Sequence, residues 1–290
     1  MDGDGWWRRL TLSVVIPVYN EADNLPALLQ EIDHALNGQL SYELLVVNDG
    51  SNDNTQEKLC QLQLQYPQLK IIRHLENRGQ SIAIISGVKH AVTPWIATLD
   101  GDGQNDPRDI LTLFKQVESF DPYRDVLLVT GIRSIRRDNR LRRGSSRLAN
   151  FIRQILFRDG CPDAGSGLKI FPRQVFLNLP HFDHMHRFLP ALVKRANGTL
   201  INIPVNHRRR VSGRTKYGVW NRLWISIVDI LGVRWLLSRD VNVDVEVLSS
   251  RASKTKRKSK INARAIDTNK NGDKNKDVVA GAKNKDAVLS

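Results

Sequence analysis

Residues 12–51, LSVVIPVYNEADNLPALLQEIDHALNGQLSYELLVVNDGS, carry the pattern that decides the fold. Leu12–Val18 is apolar and rich in β-branched residues, without the alternation of a half-exposed strand. Asn24–Leu36 switches to helical spacing, and Tyr42–Val47 is a second continuous apolar run. Strands apolar on both faces, separated by helices, predict a mostly parallel sheet with helices on both faces. The alternation continues with a helix at Thr55–Leu64, a strand at Lys70–His74 and a helix at Gln80–Ala91. A strand at Trp95–Leu99, a helix at Pro107–Val117 and a strand at Val126–Thr130 follow. In sheets of this class ligands bind beyond the carboxyl ends of the strands. The polar clusters fall there: Tyr19-Asn20-Glu21, Asn48-Asp49-Gly50-Ser51 and Asp100-Gly101-Asp102.

Beyond Gly131 the pattern changes. A basic stretch (Arg133, Arg136, Arg137, Arg140, Arg142, Arg143, Arg147) leads into a predicted helix, Arg147–Leu156, and a Gly-rich turn at Asp163–Gly167. Strand and helix follow to His181, then a helix at His184–Arg195, a strand at Leu200–Val205 and a basic loop at His207–Tyr217. Leu223–Leu237 is too short for a membrane span and is interrupted by Asp229 and Arg234. It reads as an amphipathic helix lying in a membrane interface, or alternatively packing on the core. From Arg251 to Ser290 twelve Lys and Arg face four Asp, so this stretch holds eight of the chain's fourteen net positive charges. It has no aromatic residue and too little apolar surface to offset the entropy of ordering, so a disordered basic tail is expected. Cys60 and Cys161 are too few for a disulfide framework and read as incidental thiols. The first ten residues carry no apolar run of signal-peptide length.

Asp100-Gly-Asp102 places two carboxylates at alternate positions of a strand-end turn. Hard oxygen ligands suit Mg²⁺ or Mn²⁺, which keep waters and share phosphate oxygens, and Gln104 can add an oxygen. The plain alternative is a solvated acidic turn before the helix that Pro107 starts. A calcium loop fits poorly, because its sixth position is Asn105 and its twelfth Leu111. A half-match in the tail, from Asp267 to Gly272, ends on Val278 where Glu is required. Asp49 is either a turn and capping residue or an acceptor for a nucleotide base; Asn20 and Glu21 likewise cap a helix or line a base pocket.

The combination resembles the family 2 glycosyltransferases, whose nucleotide-sugar fold is the Rossmann-like α/β GT-A architecture. The matching stretches are Val14-Val-Ile-Pro-Val-Tyr-Asn-Glu21, Val46-Val-Asn-Asp-Gly-Ser51, Asn77-Arg-Gly-Gln80 and Leu99-Asp-Gly-Asp-Gly-Gln104. Gly131-Ile-Arg133, Arg142-Arg-Gly-Ser-Ser146, Asp163–Gly167, His186-Arg-Phe188 and His207–Tyr217 resemble the polyprenyl-phosphate branch, which includes dolichol-phosphate mannose synthases. The likeness spans about Leu12 to Arg239. The wording of the acidic loop and Asp229–Trp235 are most similar to bacterial members charging polyprenyl phosphate with galacturonate or aminoarabinose-type sugars.

The resemblance implies a nucleotide-diphosphate sugar donor, UDP- or GDP-linked, and a polyprenyl phosphate (undecaprenyl or dolichyl) acceptor. Pro17, Tyr19, Glu21, Asp49, Gln80 and Asp100 would line the donor site, with Arg210 and Lys216 closing over its diphosphate. Asp100, Asp102 and Gln104 would hold Mg²⁺ or Mn²⁺. Arg133, Arg142 and Ser146 would hold the acceptor phosphate, and Asp163 would face the sugar or acceptor. Asp102, Asp163, Arg133 and Arg142 are thus the catalytic expectations, with inversion at the anomeric carbon. Most other arginines in this stretch read as a solvated face.

The implied organisation is an extension (1–10), a GT-A domain (11–218), an interfacial helix segment (219–240) and a basic tail (241–290). The implied place is peripheral, on the cytoplasmic side of the membrane. A membrane-anchoring subunit or a homo-oligomer stays open, since many bacterial relatives carry spanning helices after the catalytic domain. The processive synthases' Gln-x-x-Arg-Trp has Leu231 in place of Gln before Arg234-Trp235. Two other functions compete: a soluble glycosyltransferase acting on a glycan or protein, and a non-catalytic polyanion binder. No nucleic-acid partner is expected, because the tail lacks interleaved aromatics and the acidic loop repels phosphate.

Overall fold

The structure is a computed structural model and describes residues 11–133, 156–208 and 219–239. The expectations for the 1–10 extension, the Arg147–Leu156 helix, Arg142, Ser146, Arg210, Lys216 and the 241–290 tail lie outside the described residues.

The chain runs β1 (Thr11–Val18), α1 (Leu25–Leu36), β2 (Ser41–Asp49), α2 (Thr55–Gln63), β3 (Leu69–His74), α3 (Gln80–His90) and β4 (Trp95–Thr98). Then come α4 (Asp109–Phe114), β5 (Leu127–Arg133), β6 (Lys169–Pro172), α5 (Arg173–Asn178), α6 (Leu189–Arg195), β7 (Thr199–Val205) and α7 (Val219–Leu237). The seven strands form one sheet in the order β3-β2-β1-β4-β6-β5-β7. β1, β2, β3 and β4 pair in parallel, and so do β5 and β7. β6 alone is antiparallel to both its neighbours, with Lys169 opposite Thr98 on one side and Thr130 on the other. The sheet is therefore mixed beyond β4, which no run of sequence announced, because β6 is only four residues long.

Each buried strand divides its side chains between two cores. Val14, Ile16, Leu44 and Val46 face α1, α2 and α4; Val15, Leu45 and Val47 face α3, α5 and α6. In α1 the i, i+3, i+4, i+7, i+11 set Leu25, Leu28, Leu29, Ile32 and Leu36 is buried. Each such aliphatic side chain contributes about 1.5–3 kcal/mol through burial.

The predicted helix His184–Arg195 is broken. His184 takes the left-handed conformation (φ 62°), Met185–Arg187 is a single 3-10 turn, and α6 starts after Phe188. Pro190 explains this: it is tolerated in the first turn of a helix, but in an interior it removes a hydrogen bond and clashes. The predicted Pro107–Val117 helix likewise narrows to α4 and a 3-10 turn.

α7 does not show one apolar face to solvent and a polar face to the protein. Ile230, Val233 and Leu237 pack with Phe157, Phe188 and Ala191, while Val228, Leu231 and Trp235 stand exposed on the opposite side. Asp229, which interrupts the apolar run in the sequence, lies 3.0 Å from His184 Nδ1. The pair tethers α7 to the loop before α6. No described helix is long and apolar enough to cross a membrane.

Candidate active site

The chain leaves β1 toward β2 and β3 on one side, then returns to β4 on the other, so the crevice between β1 and β4 is a topological switch point. The carboxyl ends of β1, β2 and β4 carry Tyr19-Asn20-Glu21, Asp49 and Asp100, at one edge of the sheet. β6, running the other way, brings Gly165–Lys169 to the same edge.

The loops at this edge are tied together by short polar contacts. Asn20 N–H donates to Ser51 Oγ (2.9 Å), and Asn52 N–H donates to Asn20 Oδ1 (2.9 Å). Glu21 N–H donates to Thr55 Oγ1, and the Glu21 carboxylate accepts from Asn24 Nδ2 (2.6 Å). The expected base-binding carboxylate, Asp49, is 3% exposed and holds its own fold. Oδ1 meets His74 Nδ1 (2.7 Å) and accepts from Arg78 N–H (3.0 Å), and Oδ2 accepts from Gly79 N–H (2.7 Å). These contacts are the loop-holding role that the sequence offered for Asp49. Gly50 follows at φ 67°, and a Cβ there would overlap the backbone of Glu76 and Asn77.

Asp100 lies in a cavity of about 480 Å³ whose wall includes Gln80, Arg133, Ser166, Lys169, His186 and Arg187. Its Oδ1 accepts a hydrogen bond from Gln80 Nε2 at 2.7 Å. Gly167 packs against its carboxylate so closely that any Cβ would overlap both oxygens. Burial first, and then the negative charge of Asp102, raise the Asp100 pKa to about 6, against the opposing charges of Lys169 and Arg133. Asp102 is partly exposed, and its Oδ1 accepts from Gln104 N–H at 3.1 Å. Among the described residues there is no group of three or more His, Cys, Asp or Glu that could cage a metal. Two carboxylates of hard oxygen fit Mg²⁺ or Mn²⁺ only if substrate oxygens and water complete the shell, which is how Mg²⁺ sites are commonly built.

The raised pKa has a definite sign in two measurements. Between pH 4 and 6 the folded protein binds more protons at Asp100 than the unfolded chain, so this group's contribution to stability rises as pH falls through 6. Asp100→Asn is therefore expected to raise thermal stability at pH 7.5, by about 1–3 kcal/mol, an advantage that shrinks toward pH 4. Unchanged melting across that range would contradict the burial of this charge.

Gln104 also ties two loops together. Its amide Nε2 faces the exit of β7, donating to the Arg208 carbonyl (3.3 Å), and the Arg208 N–H donates to the Gln104 carbonyl (2.8 Å). This edge pairing, with Asn105 bridged to His207, fastens the acidic loop to the start of the basic loop. Arg208 adds ion pairs to Glu31 (2.5 Å) and Asp106 (3.0 Å).

Arg133 and Asp163 were expected in separate roles. They form one bidentate pair, Nε to Oδ2 at 2.6 Å and Nη2 to Oδ1 at 2.7 Å, with Asp163 almost fully buried. The planar fork of Arg133 is thus largely engaged, and it faces the cavity as a held group. His186 is held too: its Nδ1 lies 2.7 Å from Ser81 Oγ, and burial depresses its pKa, so the ring is neutral at pH 7. Lys169 is the residue that the sequence did not single out. It is 3% exposed in the cavity wall and donates to the Ser166 carbonyl. A Lys between Leu168 and Ile170, directly after a Gly-rich turn, was the available signal.

A family model described as glycosyl transferase family 2 matches residues 13–179. Two curated relatives are undecaprenyl-phosphate 4-deoxy-4-formamido-L-arabinose transferases. That of Edwardsiella ictaluri (strain 93-146) is 37% identical over 211 residues, covering 72% of this chain and 63% of the relative. That of Enterobacter sp. (strain 638) is 36% identical over 211 residues, covering 71% and 62%. The chain thus spans a little under two thirds of the length of these relatives. Among solved structures, mannosyl-3-phosphoglycerate synthase from Rubrobacter xylanophilus aligns with TM-score 0.58 and 15% identity, over 84% of this chain and 79% of its own. A mannosyltransferase from Pyrobaculum calidifontis, in complex with GDP-Man and Mn²⁺, aligns with TM-score 0.55 and 19% identity, over 80% and 65%. Glucosyl-3-phosphoglycerate synthase from Mycobacterium tuberculosis, with Mn²⁺, UDP-Glc and phosphoglyceric acid, gives 0.57 and 16%, over 83% and 84%. At these identities the likeness is one of fold, and the fold is the expected GT-A architecture.

Proposed function

The chain belongs to glycosyl transferase family 2, and from that premise we propose that it transfers a sugar from a nucleoside diphosphate to a polyprenyl phosphate at the cytoplasmic membrane face. The observation that carries this reading is the cavity at the switch point. Asp100 stands at one part of its wall, and the Arg133–Asp163 pair and Lys169 at another. The names of the curated relatives support undecaprenyl phosphate as the acceptor class.

A lipid phosphate monoester is mostly dianionic near neutral pH, since its second pKa is about 6, and needs little help as a nucleophile. The difficulty is mutual repulsion between two anions. Asp100 and Asp102 would hold Mg²⁺ or Mn²⁺, whose charge offsets that developing on the leaving diphosphate. Gln80 fixes the orientation of Asp100. Asp163 fixes the guanidinium of Arg133 toward the cavity, where it attracts the incoming phosphate. Arg142 and Ser146 complete the acceptor site in this proposal, and Arg210 and Lys216 close over the donor. Attack opposite the diphosphate inverts the anomeric centre.

The test offers radiolabelled nucleotide sugars with polyprenyl phosphate and Mn²⁺. Label in the organic phase agrees with the proposal; label confined to water-soluble glycan or protein removes the lipid acceptor.

The membrane contact we assign to α7. Val228, Leu231 and Trp235 are 53%, 64% and 62% exposed on one side of the helix. Arg239 lies over the Trp235 ring, and exposed Arg234 lies beside it, suiting an anionic leaflet. The double change Leu231→Glu, Trp235→Glu is expected to weaken sedimentation with phosphatidylglycerol vesicles roughly tenfold. Transfer to a short-chain, water-soluble acceptor should stay unchanged. Undiminished vesicle binding would place the membrane contact elsewhere.

A further inference from the structure

His74 ends β3, directly opposite Asp49 at the end of β2 in the parallel register. The proposed transfer gives this largely buried histidine no part, yet it bonds through both ring nitrogens. Nδ1 lies 2.7 Å from Asp49 Oδ1, and Nε2 lies 2.9 Å from Ser86 Oγ in the middle of α3. An ionised carboxylate has only acceptors, so Nδ1 carries the hydrogen and donates it to Asp49. In the neutral ring Nε2 is then an acceptor, and the Ser86 hydroxyl donates to it. The imidazole thus bridges the ends of two strands to a helix.

What the ring holds leads to the cavity. With one oxygen bonded to His74 and to the Arg78 N–H, Asp49 turns the other to the Gly79 N–H at 2.7 Å. Asn77 Nδ2 donates to the Asp49 carbonyl, so three consecutive residues lean on this one aspartate. Gly79 has φ 88° and stands immediately before α3. Gln80, the first residue of α3, is the donor to Asp100 Oδ1. On its other side Ser81 is fixed by His186, whose ring nitrogen and main-chain N–H both meet its hydroxyl. The reach of Gln80 toward Asp100 is therefore set by its two neighbours, and His74 orients the carboxylate that holds one of them. A carboxylate rotates about its last bond unless its donors stop it, and a ring locked by Ser86 is such a donor.

We infer that His74 is a positioning residue for donor binding: its Nδ1–H fixes the Asp49 carboxylate and, through the 77–79 turn, the Gln80 amide that orients Asp100. The inference rests on the proposed function, and it makes the Nδ1 side of the ring matter more than the Nε2 side. Asparagine and glutamine separate the two sides. The Asn amide nitrogen lies as many bonds from the backbone as Nδ1, and the Gln amide nitrogen as many as Nε2.

Calorimetric titration of UDP and GDP in the presence of Mn²⁺ is the test. His74→Gln should bind the nucleoside diphosphate about tenfold more weakly than the wild type, whereas His74→Asn and Ser86→Ala should stay within about threefold. Both His74 variants remove similar packing, so a merely structural role predicts similar affinities for the two. Equal losses in His74→Gln and His74→Asn would overturn the inference, as would a His74→Gln variant that binds like the wild type. Should either variant not fold, nitrogen-15 NMR of the wild type decides the matter without a substitution. The hydrogen is expected on Nδ1 of His74, with a ring signal that shifts when UDP and diamagnetic Mg²⁺ are added. A hydrogen on Nε2, or a ring signal indifferent to the nucleotide, would overturn the inference. If the wild type binds neither UDP nor GDP, the proposed function itself fails, and the first titration shows which of the two is at fault.

Discussion

Asp102→Ala is expected to yield a protein that folds and melts like the wild type but transfers sugar about 10³-fold more slowly. The two halves of that outcome follow from different observations. Asp102 sits on a partly exposed turn outside both hydrophobic cores, so its removal costs no burial. Its carboxylate is, however, one of only two at the end of β4, and no third acidic, His or Cys ligand is grouped with them among the described residues. On the proposed metal assignment, losing one of two protein ligands would leave a hard cation held by a single carboxylate. The charge that stabilises the leaving diphosphate then goes with it. Steady-state transfer, with Mn²⁺ raised to test for rescue, checks this. Turnover within tenfold of wild type would contradict the metal assignment.

Gly167→Ala should be nearly as damaging, although Gly167 bears no functional group. A methyl there overlaps the carboxylate of Asp100, and the far end of that short side chain is the part able to yield. The carboxylate must rotate away from Gln80 and from the position it shares with Asp102. We expect kcat to fall by about 10²-fold, with only about 1–2 kcal/mol lost from stability, because the clash is with a side-chain terminus and not with backbone. Activity assays paired with thermal melts separate the outcomes. A variant that unfolds outright, or one that keeps full activity, would show that Asp100 is not seated against Gly167 in the working enzyme.

The sequence made the first half of the sheet plain. Continuous apolar runs at β1, β2 and β4, with a helical period between them, can hardly be arranged otherwise than as parallel strands buried on both faces. The same runs placed Asp49 and Asp100 at strand ends, and the structure agrees to within a residue or two. What the sequence hid is everything that depends on contact between distant segments. Arg133 and Asp163 are thirty residues apart and each reads as a reactive group, yet in the structure they satisfy one another. Asp49 reads as a ligand for a base, and only the structure shows that His74, Arg78 and Gly79 also bond to its oxygens. A lysine in a short strand ordinarily marks an exposed edge, which hides Lys169 from a reading of the sequence. Here β6 is inserted between β4 and β5, which buries it. The polar interruption in α7 had a similar cause, since Asp229 answers His184 across a contact of the fold and not along the helix.

The proposed transfer depends on a divalent ion shared between two carboxylates of the chain and a nucleoside diphosphate. A titration of Mn²⁺ followed by electron paramagnetic resonance, with and without UDP or GDP, measures this sharing directly. The expected result is weak Mn²⁺ binding by the protein alone, at least about tenfold tighter binding once a nucleoside diphosphate is present, and loss of that gain in Asp102→Ala. Mn²⁺ binding that is indifferent to the nucleotide, or equally strong without Asp102, would contradict it.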